Sequence, residues 1–150
     1  MSNDSHVSKL WSILPKQLVG MPQPQVEDLR ALHEVGVRSI ISLLEDNVGL
    51  DEYESPNFDY RWFPVADHGV PTSDQISELV QYIDAQLNQS NLVAVHCKGG
   101  KGRTGTMLAA YLIAKGASYE EAMSQIESAK PNAIRKEFQI EFLKELASAS

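Results

Sequence analysis

One cysteine in 150 residues, Cys97, leaves this chain without an internal disulfide, as expected of a protein kept in a reducing compartment. Positive charge is also scarce: 13 Lys and Arg face 20 Asp and Glu, a formal net charge of -7. A background of that sign argues against nucleic acid as a partner. No stretch approaches the roughly 18 apolar residues of a membrane helix, and the opening MSNDSHVSKLWSI has no apolar core of signal-peptide type. The expectation is a cytoplasmic protein without membrane insertion. Repeats and low-complexity segments are missing. The four histidines (6, 33, 68 and 96) show no ligand spacing, so no metal site is expected.

The chain does have enough apolar material for one core, 43% of residues. Residues 1–9 are read as a flexible N-terminus and 10–150 as a single catalytic domain, expected to be a monomer. LWSIL (10–14) and QLVGM (17–21) read as short strands around Pro15. VEDLRALHEV (26–35) carries a helical stripe and ends at Gly36. VRSIISLL (37–44) is a β-branched buried strand, 45–57 a surface loop, and FDYRWFPV (58–65) another strand. Thr72 and Gln75 form a capping box before a helix with apolar positions 76, 79, 80, 83 and 87. NLVAVHC (91–97) is a strand, TGTMLAAYLIAKG (104–116) a buried helix, and Ser118 with Glu121 caps a helix to about 129. A last helix over 135–147 is expected to present Phe138, Phe142 and Leu146 on one face. Strands alternating with helices predict an α/β domain with a mostly parallel central sheet of about 4–5 strands flanked by helices.

The informative stretch is VAVHCKGGKGRTGTM (93–107), a strand running into a glycine-rich turn with three cations and then a helix. Such a turn is where ligands bind in parallel α/β sheets, and its N–H groups favour an anion. GKGRTG (100–105) matches a dinucleotide fingerprint, but no strand-ending acid follows at the required distance. The nucleotide-binding pattern fails because Lys101 is followed by Gly102. His96 and Cys97 point to opposite faces of a strand, which argues against zinc. A merely structural cysteine would leave Arg103 unexplained. The remaining reading uses every residue. Five flexible or small residues separate Cys97 from Arg103, letting the backbone of Lys98, Gly99, Gly100, Lys101 and Gly102 curl around a phosphoryl group. Arg103 can clasp two of its oxygens. Cys97 lies below for in-line attack, its thiol lowered from ~8.5 into the range of roughly 3.5–7.5 by the helix end and nearby cations. Phosphate, sulfate or vanadate is expected in this loop.

HCKGGKGRTG (96–105) resembles the signature H-C-x-x-G-x-x-R-[ST]-G of the cysteine-dependent protein tyrosine phosphatases. LVGMPQPQVEDLRALHEVGVRSIISLLE (18–45), FPVADHGVPTSDQ (63–75) and AKPNAIRKEFQIEFL (129–143) resemble small atypical dual-specificity phosphatases, nearest to the compact VHZ type and its archaeal and bacterial relatives. The resemblance implies the protein tyrosine phosphatase-like fold, no cofactor, and a phosphocysteine intermediate. It makes Asp67 the general acid, with Asp74 and Asp59 as rivals. It gives Thr104 a hydroxyl that stabilises the thiolate and His96 a supporting role in the loop. Gln139 falls on the family's glutamine. The departure is IRKEFQIE (134–141), where Arg135 and Lys136 replace uncharged or acidic residues, which puts any role of that segment in doubt.

The implied substrates are phosphotyrosine proteins first, with phosphoserine and phosphothreonine as further targets. A small phosphomonoester is the other class: Lys98 and Lys101 make the loop very similar to H-C-K-A-G-K-G-R-T-G of phosphoinositide 3-phosphatases, whose lysines meet additional phosphates. Inositol-phosphate or phosphoinositide hydrolysis is therefore the alternative, and a phosphate-binding module without turnover ranks lower. Rhodanese-like or arsenate-reductase chemistry also uses a Cys loop with Arg, but fits the rest of the chain poorly. A low-pKa Cys97 should oxidise readily to sulfenic acid, with no second cysteine to trap it.

Overall fold

The structure is a computed structural model, and it describes residues 6–47, 53 and 58–149. Its strands are β1 (Trp11–Leu14), β2 (Leu18–Met21), β3 (Val37–Ser42), β4 (Asp59–Trp62) and β5 (Leu92–His96). They form one five-stranded sheet in the order β1-β2-β5-β3-β4. Only the β1–β2 hairpin is antiparallel; β2, β5, β3 and β4 run parallel. The α/β expectation holds, with five strands.

The helices are α1 (Leu29–Glu34, preceded by a 3-10 turn at Val26–Asp28), α2 (Ser73–Asn88), α3 (Gly102–Ala114), α4 (Tyr119–Ala129) and α5 (Glu137–Ser148). Both expected capping boxes form, at Thr72–Gln75 and Ser118–Glu121. Gly36 takes the left-handed conformation just past α1, at φ 112°.

Alternation along the strands divides the core in two. Leu18, Ile41, Leu43, Val93 and Val95 face α2–α5, while Val19, Met21, Ile40 and Ala94 face Leu29 and Leu32 on the opposite side. Helix α3 has ten consecutive buried residues, Thr104 to Ile113, and is the inner helix of the larger layer. Each large apolar side chain buried this way contributes about 1.5–3 kcal/mol, so the start of α3 is held rigidly.

Three expectations change in detail. The strand expected over 58–65 ends at Trp62, because Pro64 cannot donate to a ladder. Its neighbours still bond irregularly, with Phe63 N–H donating to Ser42 O and Val65 N–H to Leu43 O. On α5, Gln139 and Leu143 are fully buried, Phe142 and Leu146 pack half-buried against the same core, and Phe138 turns its ring to His68, 6.4 Å away. Within the expected flexible N-terminus, His6 is buried and its Nε2 lies 2.9 Å from Pro22 O; residues 1–5 lie outside the described residues, as does most of the expected 45–57 loop.

Candidate active site

Strands β2, β3 and β5 are parallel, so their carboxyl ends open together. Leu43 N–H donates to His96 O at 2.9 Å, and Gln23 N–H to Lys98 O at 3.0 Å, which extends the sheet's bonding into the turn after β5. The turn 97–101 then enters α3. Lys101 stands at the helix N-cap and supplies no side-chain cap, so the positive end of α3 faces the turn.

Cys97 lies at the floor of this turn, 3% exposed. Burial alone pushes its thiol up. The Thr104 hydroxyl and the backbone N–H groups of Thr104, Gly100 and Lys101 more than offset this, and hold it below the ordinary thiol value. Thr104 Oγ1 is itself buried, and its hydroxyl is the first of the groups that lower the sulfur. Arg103 Nη1 donates to Val65 O at 3.0 Å, and Nη2 lies 3.7 Å from Asp67 Oδ1. The Arg103 side chain is 9% exposed and that of Asp67 is 63% exposed. The Val65–Asp67 segment therefore orients the arginine and carries the carboxylate.

His96 is fully buried and its pKa is pushed down to about 4, chiefly by burial. The neutral ring bridges Cys97 O, 3.0 Å from Nδ1, and Tyr53 Oη, 3.2 Å from Nε2. It fixes the peptide at Cys97 and is not among the lining residues of the cavity.

Gly100 sits at φ 73°, and a Cβ there would lie 2.4 Å from Met21 C and Pro22 N. A side chain at that position is excluded by backbone as well as by conformation. Behind it, Trp11 Nε1 donates to Gly100 O at 3.1 Å. The indole lies across Gly20, where a Cβ would come within 2.5 Å of the ring.

A cavity of about 620 Å³ opens over the turn, and Asp67, Cys97, Lys98, Lys101, Arg103 and Gln139 are among its lining residues. Gly99 and Gly102 also line it, whereas Gly100, Thr104 and His96 support it from behind. Neither rival acid lines it: Asp59 accepts from Tyr82 Oη at 2.8 Å, and Asp74 lies in the first turn of α2. Gln139 is 2% exposed, faces Gly102, and has an Oε1 without a donor. Sequence reasoning missed Trp11, His6 and the lining role of Arg135 and Lys136.

The arrangement offers a stabilised thiolate, a ring of N–H donors, a positioned guanidinium and one carboxylate at the rim. Those groups suit in-line displacement at a phosphorus.

Comparisons with known proteins agree. The family described as Tc-R-P, "Polymorphic toxin system, DSP-PTPase phosphatase", matches residues 16–117. The chain is similar to the Arabidopsis thaliana "Phosphatidylinositol 3,4,5-trisphosphate 3-phosphatase and protein-tyrosine-phosphatase PTEN1", 32% identical over 131 residues, covering 78% of this chain and 32% of that protein. It is 30% identical over 104 residues to human "Dual specificity protein phosphatase 9", covering 69% of this chain and 27% of that one. The chain thus spans about a third of the length of these curated relatives. Among solved structures, Tk-PTP in its active form superposes with a TM-score of 0.86 at 27% identity, covering 95% of this chain and 98% of the other.

Proposed function

This chain belongs to the DSP-PTPase phosphatases, and from that we propose that it is a phosphomonoester hydrolase working through a phosphocysteine at Cys97. The observation that carries the reading is the sulfur itself: a buried thiol held below its ordinary value by four donors at the mouth of an uncapped helix. A structural cysteine has no need of such donors.

In the first step the Cys97 thiolate attacks phosphorus, the bond to the leaving oxygen breaks, and Asp67 gives that oxygen its proton. Arg103 and the N–H groups from Lys98 to Thr104 hold the three other oxygens as charge shifts among them. In the second step water attacks phosphorus, Asp67 takes its proton, and Cys97 leaves as thiolate. The Thr104 hydroxyl, which lowers the sulfur, favours that departure. Gln139 Oε1, which lacks a donor, is suited to accept from the attacking water.

Phosphotyrosine proteins are the first substrate class, with phosphoserine and phosphothreonine as further targets; one relative's name joins protein tyrosine with phosphoinositide hydrolysis. A specific observation favours the inositol-phosphate alternative as well, namely Lys98 and Lys101 both lining the cavity. Among the described residues no helix is long and apolar enough to cross a membrane, and a cytoplasmic location is part of the proposal. Hydrolysis of a phosphotyrosine peptide by the wild type and by Cys97→Ser tests the activity. Cys97→Ser is expected to abolish turnover and keep phosphate or vanadate binding. Turnover that survives the change would overturn the mechanism.

A further inference from the structure

Asp67 stands on the loop that joins β4 to α2, and the hydrogen bonds that hold this loop lie at its ends. Before it, Val65 N–H donates to Leu43 O at 3.0 Å, and Gln75 Nε2 donates to Pro64 O at 2.8 Å. After it, Thr72 caps α2. Between those ends, Gly69 N–H donates to Ala66 O at 2.8 Å, a bond that shapes the turn without fixing it to the sheet. The Asp67 side chain is 63% exposed, and its contact to Arg103 is long, 3.7 Å. So loose a hold matters for a group that must meet a leaving oxygen, because a misplacement of about 1 Å can cost on the order of 10²-fold in rate.

The next residue reaches out of the loop. The His68 ring meets Phe138 edge to face, with centroids 6.4 Å apart and planes at 64°, a geometry that aromatic pairs prefer. Phe138 lies in the first turn of α5, within IRKEFQIE, the stretch where the chain departs from the family pattern. It is half-buried, yet it is not among the side chains packed on either hydrophobic cluster. Its neighbour Gln139 is buried against Gly102, the first residue of α3. Successive helical residues point about 100° apart, so one turn of α5 touches both halves of the site. Gln139 meets the helix that follows the Cys97 turn, and Phe138 meets the loop that carries Asp67. Neither His68 nor Phe138 lines the cavity. Their contact lies outside the space over Cys97, so its influence on the chemistry runs through the loop.

We propose that His68 and Phe138 are positioning residues for the general acid. Their contact ties the Asp67 loop to the first turn of α5, which Gln139 fixes to α3, and so sets the distance between the carboxyl and the Cys97 turn. The role rests on the phosphomonoesterase reading, in which Asp67 protonates the leaving oxygen.

The test compares kcat/KM on two substrates. The leaving oxygen of phenyl phosphate needs a proton, and that of p-nitrophenyl phosphate needs none. His68→Ala and Phe138→Ala should each lower kcat/KM for phenyl phosphate by roughly three- to tenfold, the worth of one aromatic pair, and for p-nitrophenyl phosphate by much less. The double variant should be no worse than either single one, and Phe138→Tyr, which keeps the ring, should recover most of the loss. Either change added to Asp67→Asn should cost nothing further on phenyl phosphate, since the carboxyl that the contact places is gone. Inhibition by inorganic phosphate should stay at its wild-type strength throughout. His68 is exposed, so His68→Ala gives the answer even where Phe138→Ala disturbs α5. Equal losses on the two substrates, no loss on either, or a further loss in the Asp67→Asn protein would overturn the positioning role and leave the hydrolase standing. Wild-type protein that turns over neither substrate, or turnover that survives Cys97→Ser, would overturn the phosphomonoesterase reading and this role with it.

Discussion

Trp11 Nε1 donates a hydrogen bond to Gly100 O across a separation of 89 residues, tying the first strand of the sheet to the turn that surrounds Cys97. The indole can lie there because Gly20 has no Cβ to meet it. Two glycines far apart in sequence, Gly20 and Gly100, thus serve one contact: the first admits the ring and the second takes the backbone shape that offers its carbonyl.

Trp11→Phe removes the donor and leaves the Gly100 carbonyl buried. A stability loss of about 1–2 kcal/mol is expected in chemical unfolding. A change confined to the fold would stop there; loosening of the turn should also weaken vanadate affinity and raise KM for phenyl phosphate. Gly100→Ala should act more severely on both, since its Cβ would meet backbone at 2.4 Å.

Asp67→Asn should lower kcat/KM for alkyl or phenyl phosphates by about 10²–10⁴. The loss should be much smaller for p-nitrophenyl phosphate, whose leaving oxygen needs no proton. Phosphate binding should survive, because the neutral amide no longer competes for Arg103, whose Nη2 lies 3.7 Å from the Asp67 carboxylate in the resting site. A loss that does not depend on the leaving group would assign the acid to another residue.

His96 makes stability depend on acidity. Burial pushes its pKa down to about 4 from an ordinary 6.5, so between those values the unfolded chain binds a proton that the folded one does not. The contribution is fully present above 6.5 and is lost as the pH falls towards 4, amounting to about 3 kcal/mol. Thermal unfolding of wild type and His96→Gln across that window checks it: the variant starts lower and should show a shallower slope.

Cys97 should be alkylated by iodoacetamide with a midpoint below that of an ordinary thiol, the direction set by its donors. Thr104→Val should move the midpoint upward. Peroxide should inactivate the protein reversibly, with recovery by dithiothreitol and no disulfide within the monomer, as the single cysteine requires.

The placing of Cys97 and Arg103 at one cavity and both capping boxes were legible in the sequence, because each is a local pattern: a turn of small residues between a strand and a helix, or an S/T-x-x-E/Q spacing. The parallel sheet followed from alternation of strands and helices. Contacts across the fold left no such trace. Nothing near Trp11 indicates that its indole reaches a carbonyl 89 positions on, and nothing near His6 marks it as buried. On helix α5, Phe142 and Leu146 pack on the core as their spacing suggests, but nothing in the pattern marks Gln139 as the buried residue that meets Gly102. Arg135 and Lys136 read as a departure from the family, and their place at the cavity appears only when Ala133 and Ile134 are seen packed against Gly105.

The most direct test of the central claim is acid-quench mass spectrometry during turnover of phenyl phosphate. The account predicts one added phosphoryl group on the peptide that contains Cys97, formed before bulk product and missing in Cys97→Ser. A phosphoryl group on any other residue, or full turnover with none trapped on Cys97 even when Asp67→Asn slows the second step, would contradict it.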